Sequence, residues 1–300
     1  MFIDVENAFL VSGDNGYSGM KFCDGIGCRV FDSKIQKANS MSGNVIELNG
    51  EAYQVGSGSD DLSMDKTKSL VHRLCLLRAL AECKADNFNV VLDLPIAQYF
   101  DENYRKKFKE YMGKSETIIY NGQKKDIRIN EMSVYPQGLA ALFANNGVNK
   151  YEDKLIGVMD IGGMTVDCCV VDKTRPIEAS IFSINLGSNY YLTKIKDKLY
   201  SKLRLNIQTY EIPYYISDGI PGEPNSKELI DEALHEYFDL IKREMDIRNW
   251  STETINMVGI GGGVIYIKDY LELYFNNYDQ VEDPIFANAM GCYELGAMAK

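Results

Sequence analysis

The same short pattern occurs in each half of the sequence, and this repeat constrains the fold more than any other feature. An apolar stretch is followed by the turn DNG, which begins at Asp14, and a second apolar stretch is followed by the turn DIG, which begins at Asp160. One such turn would be a plain hairpin, because Asn-Gly is a strong hairpin signal. Two of them, about one domain length apart, predict two domains built on the same strand–turn–strand design.

Segments with strand patterns and helix patterns alternate along both halves of the chain. Apolar residues at helical spacing predict a helix over 64–84. Two further Asn-Gly pairs predict a hairpin over 44–58 and another around 121–122. This alternation predicts two α/β domains with mixed sheets.

The charge and hydropathy of the chain argue against several classes of protein. The formal net charge is -11 at pH 7, so we expect no direct binding to nucleic acid, which requires Lys and Arg against phosphate. No apolar run reaches the roughly 20 residues that a membrane helix needs. The N-terminal segment has neither the basic region nor the long apolar core of a secretion signal. We therefore expect a cytoplasmic protein without membrane association.

The sequence contains seven Cys and two His residues. Cys23 and Cys28 form a close pair, but no His-rich segment accompanies them. We therefore expect all the cysteines to be buried thiols of a reducing compartment, rather than zinc ligands or disulfides. His72 and His235 lie in helix-like segments, where surface or rim positions are expected. Without a suitable His partner, a serine or cysteine hydrolase triad is not expected.

The two Asp-containing turns fit the binding of a phosphorylated ligand. A glycine-bearing turn between strands can present consecutive N–H groups to an anion. Lys21 adds a positive charge, Thr165 a hydroxyl and Asp167 a second carboxylate. If Asp14 and Asp160 face each other across a cleft, they repel unless a cation lies between them. Mg²⁺ fits, because it is commonly held by one or two carboxylates together with phosphate oxygens.

Three segments, in this order, resemble the nucleotide-binding motifs of a known superfamily. GDNGYSGMK, VMDIGGMTVD and VGIGGG are similar to the phosphate-1, phosphate-2 and adenosine motifs of the actin, sugar-kinase and chaperone ATPases. Their order and spacing resemble the ParM-like group, the actin-like ATPases that segregate bacterial plasmids. The resemblance covers nearly all of residues 11–300 and is weakest at 33–48 and 198–226. It departs from the family in the compact 206–226 region and at Gln137, where many plasmid homologues have a carboxylate.

The resemblance implies an actin-like ATPase fold, in which two related α/β domains with mixed sheets surround a central nucleotide cleft. Domain I would span 1–147, with a C-terminal helix at 285–300 that packs back on it. Domain II would span 148–284. The implied ligands are ATP or GTP, together with Mg²⁺.

The resemblance also implies a role for each motif residue. Asp14 and Asp160 would hold Mg²⁺ through its waters. Gln137 would place the attacking water, and Asp167 would orient a water or the metal shell. The other implied nucleotide contacts are Asn15, Gly16, Tyr17 and Lys21 at the β-phosphate, Gly162, Gly163, Met164 and Thr165 at the γ-phosphate, Gly187 near the ribose, and Gly261, Gly262 and Gly263 at the adenosine.

Two functions remain open within this superfamily. The first is a polymerising ATPase, whose dynamic filaments segregate plasmid DNA through a basic DNA-binding adaptor on a centromere-like site. The second is a small-molecule kinase of the sugar-kinase type, which needs a carboxylate base beside the acceptor hydroxyl; no second motif in the first domain supplies one. A chaperone-type ATPase is not expected, because such proteins continue into a substrate domain. The resemblance therefore favours a self-assembling ATPase of the bacterial cytoplasm.

Overall fold

The computed structural model describes residues 8–39, 42–60, 65–146, 150–151, 153–173 and 175–299. The chain divides into two compact units. The first contains Met1–Asn149 and Ile285–Lys300, and the second contains Lys150–Pro284. No helix among the described residues is long and apolar enough to span a membrane.

The first unit is built on one mixed sheet. Its strands are β1 (Phe9–Asn15), β2 (Gly19–Cys23), β3 (Cys28–Asp32), β4 (Lys34–Lys37), β5 (Val45–Leu48), β6 (Glu51–Val55), β7 (Ser59–Asp60), β8 (Asn87–Leu94), β9 (Glu116–Tyr120) and β10 (Gln123–Pro136). They lie in the order β3-β2-β1-β8-β10-β9-β5-β6-β4-β7. β1, β8 and β10 run parallel to each other, and the outer pairs are antiparallel. The carboxyl ends of the three parallel strands therefore meet at one edge of the sheet, where ligands bind in open α/β sheets.

Three helices of the first unit follow from local sequence signals. They are α1 (Leu70–Glu82), α2 (Ile96–Phe100) and α3 (Glu102–Met112), and a 3-10 helix spans Ala140–Asn146. Ser69 caps α1, because its hydroxyl accepts the N–H of His72 at 3.3 Å. α1 packs against both the sheet and α3, so it is buried on most sides. The rim position expected for His72 is therefore wrong, because this side chain is fully buried.

The two Asn-Gly hairpins are confirmed. β5 pairs with β6 around Asn49 and Gly50, and β9 pairs with β10 around Asn121 and Gly122. All four turn residues have φ between 49° and 80°. This is the left-handed conformation that a two-residue type I′ hairpin requires, and Asn and Gly adopt it at the lowest cost.

The expectation that all cysteines are free is wrong for one pair. Cys23 and Cys28 are direct cross-strand partners at the closing position of the β2–β3 hairpin, with Cα atoms 4.2 Å apart, and they form a disulfide. The strand register, which residue spacing alone did not show, brings the two sulfurs together. The other five cysteines are free and buried, as expected. Burial raises the pKa of Cys75 and Cys83 to about 12, so these thiols are unreactive at neutral pH.

The second unit contains a smaller mixed sheet. Its strands are β11 (Leu155–Ile161), β12 (Val166–Asp172), β13 (Arg175–Pro176), β14 (Phe182–Ile184), β15 (Asn256–Ile260) and β16 (Tyr278–Gln280). They lie in the order β13-β12-β11-β15-β16, and β14 also pairs with β12. The helices are α4 (Ser188–Leu203), α5 (Ser226–Ile247) and α6 (Lys268–Tyr274). α4 and α5 bury an apolar face that includes Tyr191 and Tyr237, and this face forms the core with β11 and β12.

The last helix, α7 (Ala287–Met298), belongs to the first unit. It lies against β1 and the 3-10 helix. The Ser12 hydroxyl donates to the carbonyl of Ala289 (2.6 Å), and the N–H of Gly138 donates to the Asn288 side chain (2.9 Å). A Cβ atom on Gly291 would overlap the carbonyl of Ala140. Only glycine therefore allows α7 to approach the 3-10 helix this closely.

We expect Gly291→Ala to lower the free energy of unfolding by about 3 kcal/mol or more, because the added methyl meets rigid backbone. The direction of this change is informative, since Gly→Ala inside a helix otherwise raises the free energy of unfolding by about 1 kcal/mol. Gly27→Ala is the matched control, because a Cβ there meets nothing within 4 Å. Chemical denaturation of both variants checks this prediction. Equal stability of the two variants would contradict the close packing of α7.

Candidate functional site

The end of β1 carries the first group of predicted site residues. Asp14 is 3% exposed and lies directly opposite Lys21 on β2, whose Nζ is 2.9 Å from Asp14 Oδ2. Gln137 follows β10, and its N–H donates to the carbonyl of Leu94 at the end of β8 (2.7 Å). This contact directs the Gln137 side chain to Asp14, where Nε2 donates to Oδ1 at 3.2 Å. The parallel strands thus bring Asp14, Lys21 and Gln137 into one cluster.

The turn after Asp14 is not an ordinary Asn-Gly hairpin. Neither Asn15 nor Gly16 has a positive φ, in contrast to Asn49-Gly50 and Asn121-Gly122. Instead, the carbonyl of Asn15 accepts from Lys66 Nζ (2.7 Å), and the carbonyl of Gly16 accepts from the Ser33 hydroxyl (2.7 Å). In a trans peptide the N–H points opposite to the C=O. The N–H groups of Gly16 and Tyr17 therefore point away from Lys66 and Ser33, respectively.

Lys66, Ser33 and His72 were not identified from the sequence as neighbours of this turn. The His72 carbonyl accepts from the Asn15 side chain (3.1 Å), and the His72 ring lies edge-on to Tyr17, with centroids 5.1 Å apart. Burial, and to a lesser extent the charge of Lys66, lowers the pKa of His72 to about 3. This imidazole is therefore neutral at physiological pH and is not an acid–base group. No local signal marks these residues, because their contacts join distant parts of the chain.

The end of β11 carries the second group. Asp160 on β11 and Asp167 on β12 are direct cross-strand partners, and they are 5% and 7% exposed. The Thr165 hydroxyl donates to Asp167 Oδ2 at 2.8 Å. Side chains at directly opposite positions of an antiparallel pair project from the same face. The second unit therefore holds two buried carboxylates beside its glycine turn.

Hydrogen bonds from the start of a helix hold the turn of the second unit in place. The carbonyls of residues 162–164 accept from the N–H groups of residues 187–189, at the start of α4, over 2.8–3.0 Å. The N–H groups of residues 163–165 therefore point away from α4, and they form a set of consecutive donors suited to an anion. A Cβ on Gly187 would lie 2.5 Å from the backbone of Gly163. Gly187 thus lies beneath the turn, and its implied contact with a ribose stays a prediction.

The glycine run after β15 packs onto the end of β11. Gly261 has a φ of 84°, and a Cβ there would lie 2.5 Å from Asp160 Oδ1. Gly263 is buried against Ile161, and its carbonyl accepts from the Tyr191 hydroxyl at 3.0 Å. Gly262, the residue between them, is the first residue of the 3-10 helix Gly262–Ile267. The run therefore joins Asp160 and Asp167 in the site of the second unit.

The carboxylates present suit Mg²⁺, which prefers oxygen ligands and keeps several waters. Within the described part of the chain, no three His, Cys, Asp or Glu side chains cluster to hold a metal by themselves. Asp14 in the first unit and Asp160 in the second each offer carboxylate oxygens of the kind that can hold Mg²⁺ through its waters. The first unit brings together Asp14, Asn15, Gly16, Tyr17, Lys21 and Gln137, and the second brings together Asp160, Gly162, Gly163, Met164, Thr165, Asp167, Gly187, Gly261, Gly262 and Gly263.

Comparison with known proteins identifies the fold. Residues 12–139 match the family model described as the actin-like proteins N-terminal domain. No curated protein matches the sequence. A 15-stranded ParM filament structure from Clostridium botulinum is 19% identical and aligns over 97% of this chain and 99% of that chain, with a TM-score of 0.75.

Two further solved structures align over almost their whole length. The apo psk41 ParM protein is 18% identical, covers 98% of each chain and has a TM-score of 0.74. The archaeal actin homolog Ta0583 in complex with ADP is 19% identical, covers 97% of this chain and 100% of that chain, and has a TM-score of 0.78. The resemblance inferred from the sequence and the predicted fold class are confirmed. Residues 12–139 thus match the actin-like N-terminal domain, and the chain as a whole has the fold of the ParM-like structures.

Proposed function

We propose that this chain is a nucleotide-dependent polymerising ATPase, whose filaments assemble with ATP or GTP and Mg²⁺ and disassemble after hydrolysis. One observation carries the proposal: each unit has a strand whose second-last residue is a buried Asp, followed by a turn whose carbonyls accept hydrogen bonds from the rest of that unit. Such turns offer peptide N–H groups to anions. Each unit therefore offers a turn of this design to a phosphate group.

The roles of the residues follow from this arrangement. Lys21 and the first turn bind the β-phosphate, and residues 162–165 bind the γ-phosphate. Gln137, which is fixed at both its backbone and its side chain, positions the attacking water. Phosphoryl transfer is catalysed mainly by positioning and by charge stabilisation, and both can be supplied by groups that are held in place before the ligand binds.

Mg²⁺, when bound, would supply positive charge that stabilises the phosphates. Asp14 and Asp160 would hold it through its waters. Lys21 and Gln137 keep the Asp14 carboxylate in one orientation, because each donates to a different oxygen. The close approach of Gly261 leaves the Asp160 carboxylate in contact with the backbone, with no side chain in between.

The proposed partners are further copies of the same chain and a basic adaptor that binds a centromere-like plasmid site. Two observations and one general rule support this. Solved neighbours include filaments of Alp12 and of a ParM protein. The net charge of -11 suits a basic protein partner better than direct contact with DNA. A single heterologous contact that does not close into a ring extends into a filament.

We expect ATP with Mg²⁺ to drive assembly of the purified protein at micromolar concentration. Light scattering and sedimentation, each with ATP, GTP, ADP and no nucleotide, measure this directly. Chelation of Mg²⁺ with EDTA is the control and should prevent assembly. Flat scattering with every nucleotide, together with phosphorylation of one of a panel of hexoses, would favour a small-molecule kinase instead.

A further inference from the structure

Lys66 is a fully buried lysine beneath the first turn. Its side chain is 1% exposed, and its Nζ donates to the Asn15 carbonyl at 2.7 Å. The same ammonium lies 4.7 Å from the centre of the Tyr17 ring. The backbone N–H of Lys66 donates to the Tyr104 hydroxyl at 2.9 Å, which holds the segment before α1 in place. Lysine is almost never fully buried without a specific partner, so this placement has a structural cause.

The hydrogen bond from Lys66 sets the direction of one peptide. The Asn15–Gly16 peptide precedes a glycine, whose backbone is the most permissive of all residues. If this peptide turned over, its carbonyl would point to the anion side and its N–H into the protein. Lys66 opposes that rotation, because its buried ammonium would lose the carbonyl oxygen that accepts its hydrogen bond. A hydrogen bond to a charged donor also polarises the peptide, which makes the Gly16 N–H a stronger donor.

In the second unit, a different group holds the carbonyls of the turn. There, N–H groups of residues 187–189, at the start of α4, bind the carbonyls of residues 162–164. In the first turn, side chains take this role: Lys66 and Ser33 bind its carbonyls. The N–H groups at the helix start carry partial positive charge from the aligned peptides of the helix. Lys66 carries a full positive charge.

We propose that Lys66 is a positioning residue of the phosphate site: its ammonium holds the Asn15–Gly16 peptide so that the Gly16 N–H faces a bound phosphate. This proposal rests on the proposed function, because it names a further residue of the same nucleotide site. It predicts that Lys66 acts on the phosphates of the ligand and not on the nucleoside. A lysine that only stabilised the fold would affect all ligands alike.

Lys66→Met tests this, because methionine retains much of the apolar stem and removes the charge. We expect the affinity for ATP and ADP, measured by calorimetric titration with Mg²⁺, to fall about 10- to 100-fold, the range for loss of a charged hydrogen bond. Adenosine affinity should change less than about threefold, since no phosphate is involved. Lys68→Met is the matched control, because it makes the same charge change two residues away on a side chain that is 79% exposed. It should bind all three ligands as the wild type does.

Ser33→Ala is the second variant, and it decides the matter if Lys66→Met does not fold. It removes the hydroxyl that binds the Gly16 carbonyl, and it should weaken ATP binding about two- to tenfold and leave adenosine binding intact. Equal losses for adenosine and ATP, or no loss for ATP, would overturn the positioning role while leaving the proposed function in place. A wild-type protein that binds neither ATP nor ADP would overturn both.

Discussion

Asp160→Ala is expected to abolish nucleotide-dependent assembly while the second unit remains folded. Asp160 is buried at the end of β11, beside the glycine run and directly opposite Asp167. In the proposed function it orients the water shell of Mg²⁺, so its loss removes charge stabilisation at the phosphates. Loss of a group that orients the ligands of a metal typically lowers the metal affinity about 10- to 100-fold. Assembly that depends on the bound nucleotide should therefore disappear at micromolar protein.

The fold should tolerate this substitution because of the neighbouring carboxylate. Like charges directly opposite each other on antiparallel strands destabilise the pair, and Asp160→Ala relieves that repulsion with Asp167. We expect the free energy of unfolding without nucleotide to change by less than about 1 kcal/mol. The exposed Asp172 lies at the far end of β12. Asp172→Ala is therefore the matched control and should assemble normally.

Sedimentation with ATP and Mg²⁺, ATP turnover and chemical denaturation together test this prediction. Asp160→Asn adds a further comparison, since it keeps the shape of the side chain and removes its charge. It should resemble Asp160→Ala if charge is what matters at this position. If both variants bind and turn over ATP as the wild type does, Asp160 is not part of the nucleotide site.

The parts of the site that the sequence predicted are those with a local signature. Glycine and aspartate at the end of an apolar stretch indicate a candidate anion-binding turn within a few residues. Asp14, Asp160 and the glycine runs could therefore be proposed from the sequence, and their binding role stays a prediction. The Asn-Gly hairpins were predicted for the same reason, because two adjacent residues determine the turn. These elements need no knowledge of distant contacts.

The parts that the sequence missed depend on contacts between distant residues. Lys66 reaches Asn15 across 51 positions, and no property of its neighbours distinguishes it from an exposed lysine such as Lys68. His72 was wrongly placed at a rim because apolar spacing shows one buried face and cannot show that other elements cover the rest. The disulfide was missed because it depends on the register of β2 and β3, which sets Cys23 opposite Cys28.

Gln137→Ala is expected to slow ATP hydrolysis by about 10²-fold or more, in the range for loss of a positioning group. The Gln137 amide can accept from and donate to a water, but it is too weak a base to remove its proton. Its proposed task is therefore to hold the water in line with the γ-phosphorus. The hydrogen bonds that hold the carbonyls of both turns do not involve Gln137. ATP should still bind, and filaments should form at normal or lower protein concentration.

These filaments should persist long after wild-type filaments have disassembled, because in the proposed function disassembly follows hydrolysis. Time-resolved light scattering together with phosphate release separates the two processes. Gln123→Ala is the matched control, since Gln123 is an exposed residue at the opposite end of the same strand, β10. Its hydrolysis rate and filament lifetime should equal those of the wild type. A wild-type hydrolysis rate in Gln137→Ala would mean that another residue holds the water, and Asp167, fixed by Thr165, is then the next to replace.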